Sequence, residues 1–105
     1  MKRNMKESDW KEFKKLKELA LERFCKNAIA DVEEAIDKEG SYHEKYLLMY
    51  KLIENRDKML SSLFDGHSRS KAQIQLLLIR SQGLIENHEL EGLSEEYLKS
   101  TTPNG

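Results

Sequence analysis

The chain has 105 residues, of which 38% are hydrophobic and 35% charged, with five Gly and one Pro. A chain of this length has room for one core, and this composition favours long solvated helices over a sheet. The formal net charge of −1 leaves no overall field that would attract nucleic acid or anionic lipid. We therefore expect an all-α fold, a small helical bundle.

Cysteine usage and hydropathy bear on location. The single cysteine, Cys25, excludes an internal disulfide and fits a reducing compartment. The first ten residues are basic, but no apolar segment follows them as in a secretory signal. No stretch approaches the ~18 apolar residues of a membrane span. These features predict a cytoplasmic protein with no membrane association.

Both ends of the chain lack an apolar period. Residues 1–8 carry charge without hydrophobic periodicity, which predicts a flexible leader. Residues 100–105 contain the only Pro and end in Asn-Gly, which predicts a disordered tail. The sequence between them, residues 9–99, predicts a single helical domain.

The first predicted helix is long. It begins at Ser8 or Asp9, where Asp9 and Glu12 have the spacing of a capping box. Five further apolar residues, Leu19, Leu21, Cys25, Ile29 and Ile36, widen its hydrophobic stripe. Gly40 has the position of a C-cap. The stripe itself recurs every three or four residues at Trp10, Phe13, Leu16, Ala20, Phe24, Ala28, Val32 and Ala35.

A second helix follows after a short connection. Ser41 and Glu44 form a Ser-x-x-Glu capping box at its start, and Asp65-Gly66 ends it. Because the connection at Gly40 is short, the first two helices are expected to form a long antiparallel hairpin. The apolar positions of this helix are Tyr42, Tyr46, Met49, Tyr50, Ile53, Leu60, Leu63 and Phe64.

The third predicted helix, from Ser68 or Ser70 to Gly83, is the central apolar element. It has two apolar faces, which need two neighbours: one face packs on the chain's own helices, and the other packs there or on a second protein chain. Short C-terminal turns follow, with Asn87 and Ser94 as caps and Lys99 in the last helix. The two faces consist of Ala72, Leu76 and Ile79, and of Ile74, Leu77 and Leu78.

A mismatch of lengths suggests an interaction surface. A first helix of about 29 residues measures about 44 Å, whereas a compact domain of this size is roughly 33 Å across. We expect the N-terminal end of this helix to project beyond the shorter second helix. The predicted interaction surface is therefore Trp10, Phe13 and Leu16 on helix one, with Ile74, Leu77 and Leu78 on helix three.

The sequence contains few residues in patterns that indicate catalysis or metal binding. The three histidines lie on separate segments, and there is neither Cys-x-x-Cys nor His-Glu-x-x-His, so no metal site is predicted. The glycines occur singly, unlike those of a phosphate-binding loop. Cys25 lies mid-helix among apolar residues and is expected to pack in the core. We identify no catalytic or cofactor-binding residues and no motif of a known family, which argues against an enzyme without excluding one.

One polar position interrupts the stripe of helix two. Asp57, beside Arg56, occupies the turn between Ile53 and Leu60, where a buried unpaired carboxylate would be costly. In one interpretation Asp57 is a buried partner of an arginine on helix three, Arg69 or Arg80. A pocket near it would then include Tyr46 and Tyr50. In the other, the helix is slightly rotated and Asp57 reaches solvent.

Nucleic-acid binding is a further alternative. Residues 1–26 hold nine Lys or Arg against five Asp or Glu, including a cluster at Lys11, Lys14, Lys15 and Lys17. Because Glu12, Glu18 and Glu22 interleave with this cluster, an ordinary solvated face is favoured.

The apolar faces favour a small protein-interaction module, acting as a homodimer or as an adaptor for another protein. The alternatives are a helical ligand-binding protein or enzyme with an interhelical pocket near Asp57, and nucleic-acid binding through the basic N-terminal helix.

Overall fold

A computed structural model, which describes residues 5–103, contains four α-helices and one 3₁₀ turn in that range, and no strand. The all-α prediction is confirmed, since 78% of the described residues are helical. In chain order the elements are α1 (Glu7–Asp37), α2 (Tyr42–Phe64), α3 (Arg69–Ser81), the 3₁₀ turn (Asn87–Leu90) and α4 (Glu95–Ser100).

Helix α1 starts earlier than the sequence predicts. Its N-cap is Lys6, which makes no side-chain cap hydrogen bond, so the predicted capping box of Asp9 and Glu12 is absent. Glu7 and Asp9 instead lie in the first turn, where acidic side chains interact favourably with free N–H groups and the helix dipole. The predicted leader therefore overlaps the helix at Glu7 and Ser8, and its residues 1–4 lie outside the described range.

The connection between α1 and α2 follows the predicted chemistry. Gly40 has a φ of 143°, which a residue with a Cβ rarely adopts. The Ser41 hydroxyl accepts a hydrogen bond from the Glu44 backbone N–H at 3.1 Å, and the Glu44 carboxylate accepts one from the Ser41 N–H at 2.8 Å. These bonds complete the predicted capping box and lower the pKa of Glu44.

The end of α3 is set by Gly83, at a φ of 71°. The Leu84 N–H donates to the Ile79 carbonyl and the Gly83 N–H donates to that of Arg80, the two bonds of a Schellman motif. Leu84 and Ile79 are both buried, so the motif also turns the following segment into the core.

Helices α1 and α2 run antiparallel. Phe24 packs edge-on against Phe64, with ring centroids 6.0 Å apart, and Asp31 pairs with Arg56 at 2.9 Å. These two contacts define the register of the helices. Because both helices have the same rise per residue, Asp37 lies opposite about residue 50. The first two turns of α2 therefore extend beyond the end of α1.

The core lies at the opposite end of this hairpin. There α3, the 3₁₀ turn and the segment around α4 pack against the N-terminal half of α1 and the last turn of α2. We call this part of the molecule the body. Its buried apolar cluster consists of Trp10, Phe13, Leu16, Ala20, Phe24, Leu63, Phe64, Ala72, Leu76, Ile79, Leu84, Ile85, Leu90 and Leu93.

The predicted overhang is at the wrong end of α1. The molecule is elongated, with a long axis of 56 Å and short axes of 26 and 25 Å. Trp10, Phe13 and Leu16 are buried, because α3 and the C-terminal segment cover the N-terminal half of α1. The projecting part is instead the loop end of the hairpin.

Helix α4 and its contacts extend into the segment predicted as a tail. Helix α4 includes Ser100, the first residue of the predicted tail, and Thr101, the second, is buried. Arg80 donates hydrogen bonds to the Thr101 hydroxyl and to the Leu98 carbonyl, both at 2.9 Å. Only residues 104–105 of the predicted tail lie outside the described range.

Candidate functional site: an apolar face on the hairpin arm

The most unusual feature of the molecule is a poorly covered two-helix projection. Between Phe24 and Leu63, the only buried residue is Ala35. We call residues 25–60 the arm. Since α3 and the C-terminal segment belong to the body, the two helices of the arm have only each other as neighbours, and the first two turns of α2 extend beyond the end of α1.

The α1 side of the arm carries a continuous apolar row. Cys25, Ile29, Val32 and Ile36 follow one another at steps of four, three and four, which places them on one side of a helix. Ile29 is 58% exposed and Ile36 43%, whereas Cys25 and Val32 are half-buried. A row of this kind on a monomer's surface indicates a face without its neighbour.

The α2 side continues the same surface. Tyr42, Tyr46, Tyr50, Ile53 and Leu60 recur at helical spacing on one side of α2. Tyr42 is 90% exposed, Tyr46 66%, Tyr50 58% and Ile53 54%. This row and the α1 row together form what we call the arm face.

A groove runs along the arm face between the two helices. Its volume is about 350 Å³, and apolar atoms form nearly all of its surface. Glu33 from α1 and Asp57 from α2 stand at its margins as exposed carboxylates with no partner among the residues described. The groove is lined by Phe24, Cys25, Ala28, Ile29, Val32, Glu33, Ile53, Arg56, Asp57 and Leu60.

Arg56 and Asp57, the two polar residues that interrupt the apolar stripe of helix two, have different environments. Arg56 donates hydrogen bonds from Nε and Nη2 to the Asp31 carboxylate, at 3.2 and 2.9 Å, and so ties α2 to α1. Asp57 is exposed at the groove margin and contacts neither Arg69 nor Arg80. Arg69 pairs instead with Glu7 at 2.9 Å.

The tyrosines of the predicted pocket lie on the arm face. Tyr46 and Tyr50 are exposed on α2 and are closer to the loop than the groove is, so neither lines it. Asp57 and Arg56 therefore line the groove, whereas the two tyrosines form a separate row beside it on the same face.

The residues of the predicted interaction surface have different environments: those on α1 are buried in the core, whereas Ile74 on α3 is exposed. Trp10 lies in the body between His67 and Phe13, with ring centroids 5.2 and 5.8 Å away, and Lys14 and Arg69 cover it with cationic groups. Phe13 and Leu16 are buried beside it. These three side chains are inside the fold and are not part of any available surface.

Helix α3 is only partly exposed. Ile74 is 53% exposed, but Leu77 and Leu78 are half-buried, and Leu78 packs against the core. A single exposed isoleucine is ordinary on a protein surface. The second face of α3 is therefore much smaller than the arm face.

The basic cluster of α1 is largely engaged within the chain. The Lys17 ammonium donates to the Gly66 carbonyl at 2.6 Å, and burial lowers the pKa of Lys17. Lys14 lies over the Trp10 ring, and Lys15 contacts Glu12 at 3.4 Å. These contacts favour a structural explanation of the cluster.

The charged groups of the body also have structural partners. Arg23 binds Glu89 through two hydrogen bonds of 2.7 and 2.6 Å and donates a third to the Leu84 carbonyl. The guanidinium and the Glu86 backbone N–H lower the pKa of Glu89 to about 2. This pair fixes the C-terminal segment on α1 rather than forming an open site.

Two kinds of feature are absent from residues 5–103. No group of three or more His, Cys, Asp or Glu side chains is placed to hold a metal ion. No helix in that range is long and apolar enough to cross a bilayer.

Comparisons with models of protein families, with curated proteins and with solved structures found no match.

A sequence signal for the arm face did exist. Leu21, Cys25, Ile29 and Ile36 widen the stripe of α1 beyond what one neighbouring helix covers. The sequence does not show which part of that wide stripe the C-terminal segment buries. The α1 part of the arm face is the part of this stripe that the body leaves uncovered.

Proposed function

We propose that this protein is a small interaction module that works as a homodimer, with two copies joined through their arm faces. The observation that carries the proposal is the burial pattern of residues 25–60, where one buried residue accompanies two rows of exposed large apolar side chains. Cys25, the only cysteine, fits a reducing compartment, so the proposal places this dimer in the cytoplasm.

The size of the arm face supports a stable dimer. Taking about 200 Å² for a fully exposed large side chain, the exposed fractions of the six residues below amount to roughly 700 Å² per chain. A standard interface buries about 800 Å² on each partner, and the polar margins of the face add to the apolar area. The six residues are Ile29, Ile36, Tyr42, Tyr46, Tyr50 and Ile53.

The groove supports a second candidate function, the binding of a small apolar ligand. Its volume of about 350 Å³ lies at the lower end of the range for ligand sites. The homodimer is favoured because a ligand of that size would leave the tyrosine row and Ile36 uncovered. An apolar fluorescent probe distinguishes the two: a ligand site binds it equally in dilute and concentrated protein, whereas a dimer interface excludes it as the protein concentration rises.

The chain offers a matched pair of variants for testing the homodimer. Ile53 on the arm face and Ile74 on α3 are equally exposed, at 54% and 53%. A glutamate at either position is therefore tolerated equally by the folded monomer. Only Ile53→Glu would place a charge in the proposed interface.

The measurement is molar mass by light scattering after gel filtration, over a wide concentration range. We expect a mass near twice 12.3 kDa for the wild type and for Ile74→Glu. For Ile53→Glu we expect a dissociation constant raised roughly a hundredfold, equivalent to about 3 kcal/mol. A wild type that stays at 12.3 kDa at every concentration contradicts the proposal. Dissociation by Ile74→Glu alone would place the interface on α3.

A further inference from the structure

The arm face has two chemically different halves. Toward the body is the groove, and toward the loop is the tyrosine row, Tyr42, Tyr46 and Tyr50. Their centres on α2, near Asp57 and Tyr46, are about 16 Å apart along the helix axis. Both halves lie on the same side of α2, so a second copy would meet them together.

The two halves complement each other. The groove has an apolar floor bordered by the carboxylates of Glu33 and Asp57, which have no partner among the described residues. A tyrosine has an apolar ring with one hydroxyl donor at its tip. A tyrosine ring in the groove would cover the floor while its hydroxyl donates to a carboxylate, a charge-assisted hydrogen bond.

We propose that the two arms pair antiparallel, with the tyrosine row of each copy filling the groove of the other. This inference rests on the proposed homodimer and specifies its geometry. Two-fold symmetry produces this reciprocal arrangement. If the tyrosine row of one copy meets the groove of the second, the tyrosine row of the second copy also meets the groove of the first. The two-fold axis of the dimer then crosses α2 midway between the halves, between Tyr50 and Ile53. Both of these side chains are uncharged, so each can lie next to the same residue of the second copy.

The two alternative pairings are less favourable. Groove against groove would bring Glu33 and Asp57 close to the same carboxylates of the second copy, and like charges in a desolvated interface repel strongly. Tyrosine row against tyrosine row would leave both apolar grooves exposed to water. Only the reciprocal pairing covers both halves and gives the carboxylates donors.

The single native cysteine provides a reporter for this geometry. Cys25 lines the end of the groove nearest the body, which in the reciprocal pairing faces Tyr42 of the second copy. Within one chain a link between these positions is impossible. Cys25 precedes the end of α1 by about 18 Å, and Tyr42 lies at or beyond that end, whereas a disulfide needs Cα atoms within about 7 Å.

The experiment is disulfide formation under mild oxidation, with the linked peptides identified by mass spectrometry. In Tyr42→Cys we expect most of the protein to become a covalent dimer that links position 25 of one chain to position 42 of the other. Tyr42→Cys in a Cys25→Ser background is the matched control and should lose this dimer. Because Tyr42→Cys removes one ring from the face, its mass is first measured without oxidation to establish that it still pairs.

The outcomes separate this inference from the function on which it rests. A wild type that is monomeric at all concentrations contradicts the proposed homodimer itself. A dimeric protein that forms links from 25 to 25, or from 42 to 42, keeps the homodimer and overturns the reciprocal pairing. A dimeric Tyr42→Cys protein that forms no link between positions 25 and 42 overturns it as well.

Discussion

Asp9 in the first turn of α1 binds Ser94, 85 residues later, through both of its carboxylate oxygens. The Ser94 backbone N–H donates to Oδ1 at 2.8 Å and the Ser94 hydroxyl donates to Oδ2 at 2.7 Å. The same hydroxyl accepts a hydrogen bond from the Tyr97 N–H and so caps α4. One buried carboxylate thus joins the two ends of the fold and holds the cap of the last helix.

Asp9→Asn tests this connection. The variant removes the charge and turns one acceptor into an amide donor that faces Ser94, so we expect a loss of about 2 kcal/mol in the free energy of unfolding. Urea denaturation measures the change. Glu18→Gln, at an exposed carboxylate of the same helix, is the control and should be nearly neutral. Equal stability of the two variants would show that the Ser94 contact contributes little.

The contrast between Asp9 and Ser41 shows what the sequence predicts well. Ser41 and Glu44 interact within one helical turn, so their spacing alone specifies the capping box. Asp9 and Glu12 have similar spacing, but the Asp9 carboxylate is taken by a residue 85 positions away. Local chemistry is readable from sequence, whereas competition from a distant partner is not.

The position of the candidate site illustrates the same limit. The apolar period of α1 is much alike in its two halves, so the sequence does not show which half the C-terminal segment covers. Asp9 with Ser94 and Arg23 with Glu89, contacts that join residues 85 and 66 positions apart, hold that segment on the N-terminal half. The exposed face is therefore the remainder, residues 25–60, and not the Trp10 end.

The Arg23–Glu89 pair should make the C-terminal segment sensitive to acid. The pKa of Glu89 is about 2 in the folded chain, against an ordinary value of 4.5, because Arg23 and the Glu86 N–H bind its charged form. As pH falls below about 4.5 the unfolded chain takes up this proton before the folded chain does. The stability that the pair contributes is therefore complete above that pH and is lost as pH falls toward 2.

The measurement is the melting temperature of the wild type and of Glu89→Gln between pH 7 and pH 2. We expect the variant to melt lower at pH 7, and the difference to shrink as the pH falls through that window. Glu91→Gln, two residues away and exposed, is the control for general carboxylate effects. A difference between Glu89→Gln and the wild type that is constant with pH would contradict the assignment.

The pKa of Tyr97 is shifted in the opposite direction to that of Glu89. Burial, and then the nearby charge of Asp9, raise the pKa of Tyr97 to about 12, and its buried hydroxyl has no hydrogen-bond partner among the described residues. Above pH 10 the unfolded chain releases the phenol proton first, so the stability linked to this group is lost as pH rises from 10 toward 12. Removing the hydroxyl should remove that alkaline loss.

Tyr97→Phe is therefore expected to be one of the few stabilising changes in the body. Deleting an unsatisfied buried hydroxyl should raise the free energy of unfolding by about 1 kcal/mol at neutral pH. Chemical denaturation at pH 7 and at pH 11 measures both effects. Destabilisation at pH 7 would indicate that the hydroxyl has a partner, such as an ordered water molecule.

Hydrogen exchange should divide the molecule between body and arm. In the monomer, backbone amides of residues 45–52 on α2 should exchange much faster than those of α3, because Ala35 is the only buried residue of the arm, whereas Ala72, Leu76 and Ile79 of α3 are fully buried. In the proposed dimer the second copy covers the arm, so protection of residues 45–52 should rise with protein concentration while that of α3 stays constant. Ile53→Glu should abolish the concentration dependence and leave α3 unchanged. Protection of the α2 segment that equals that of α3 in dilute Ile53→Glu would mean that the arm is stable without any partner, and the physical case for its face as an interface would then be lost.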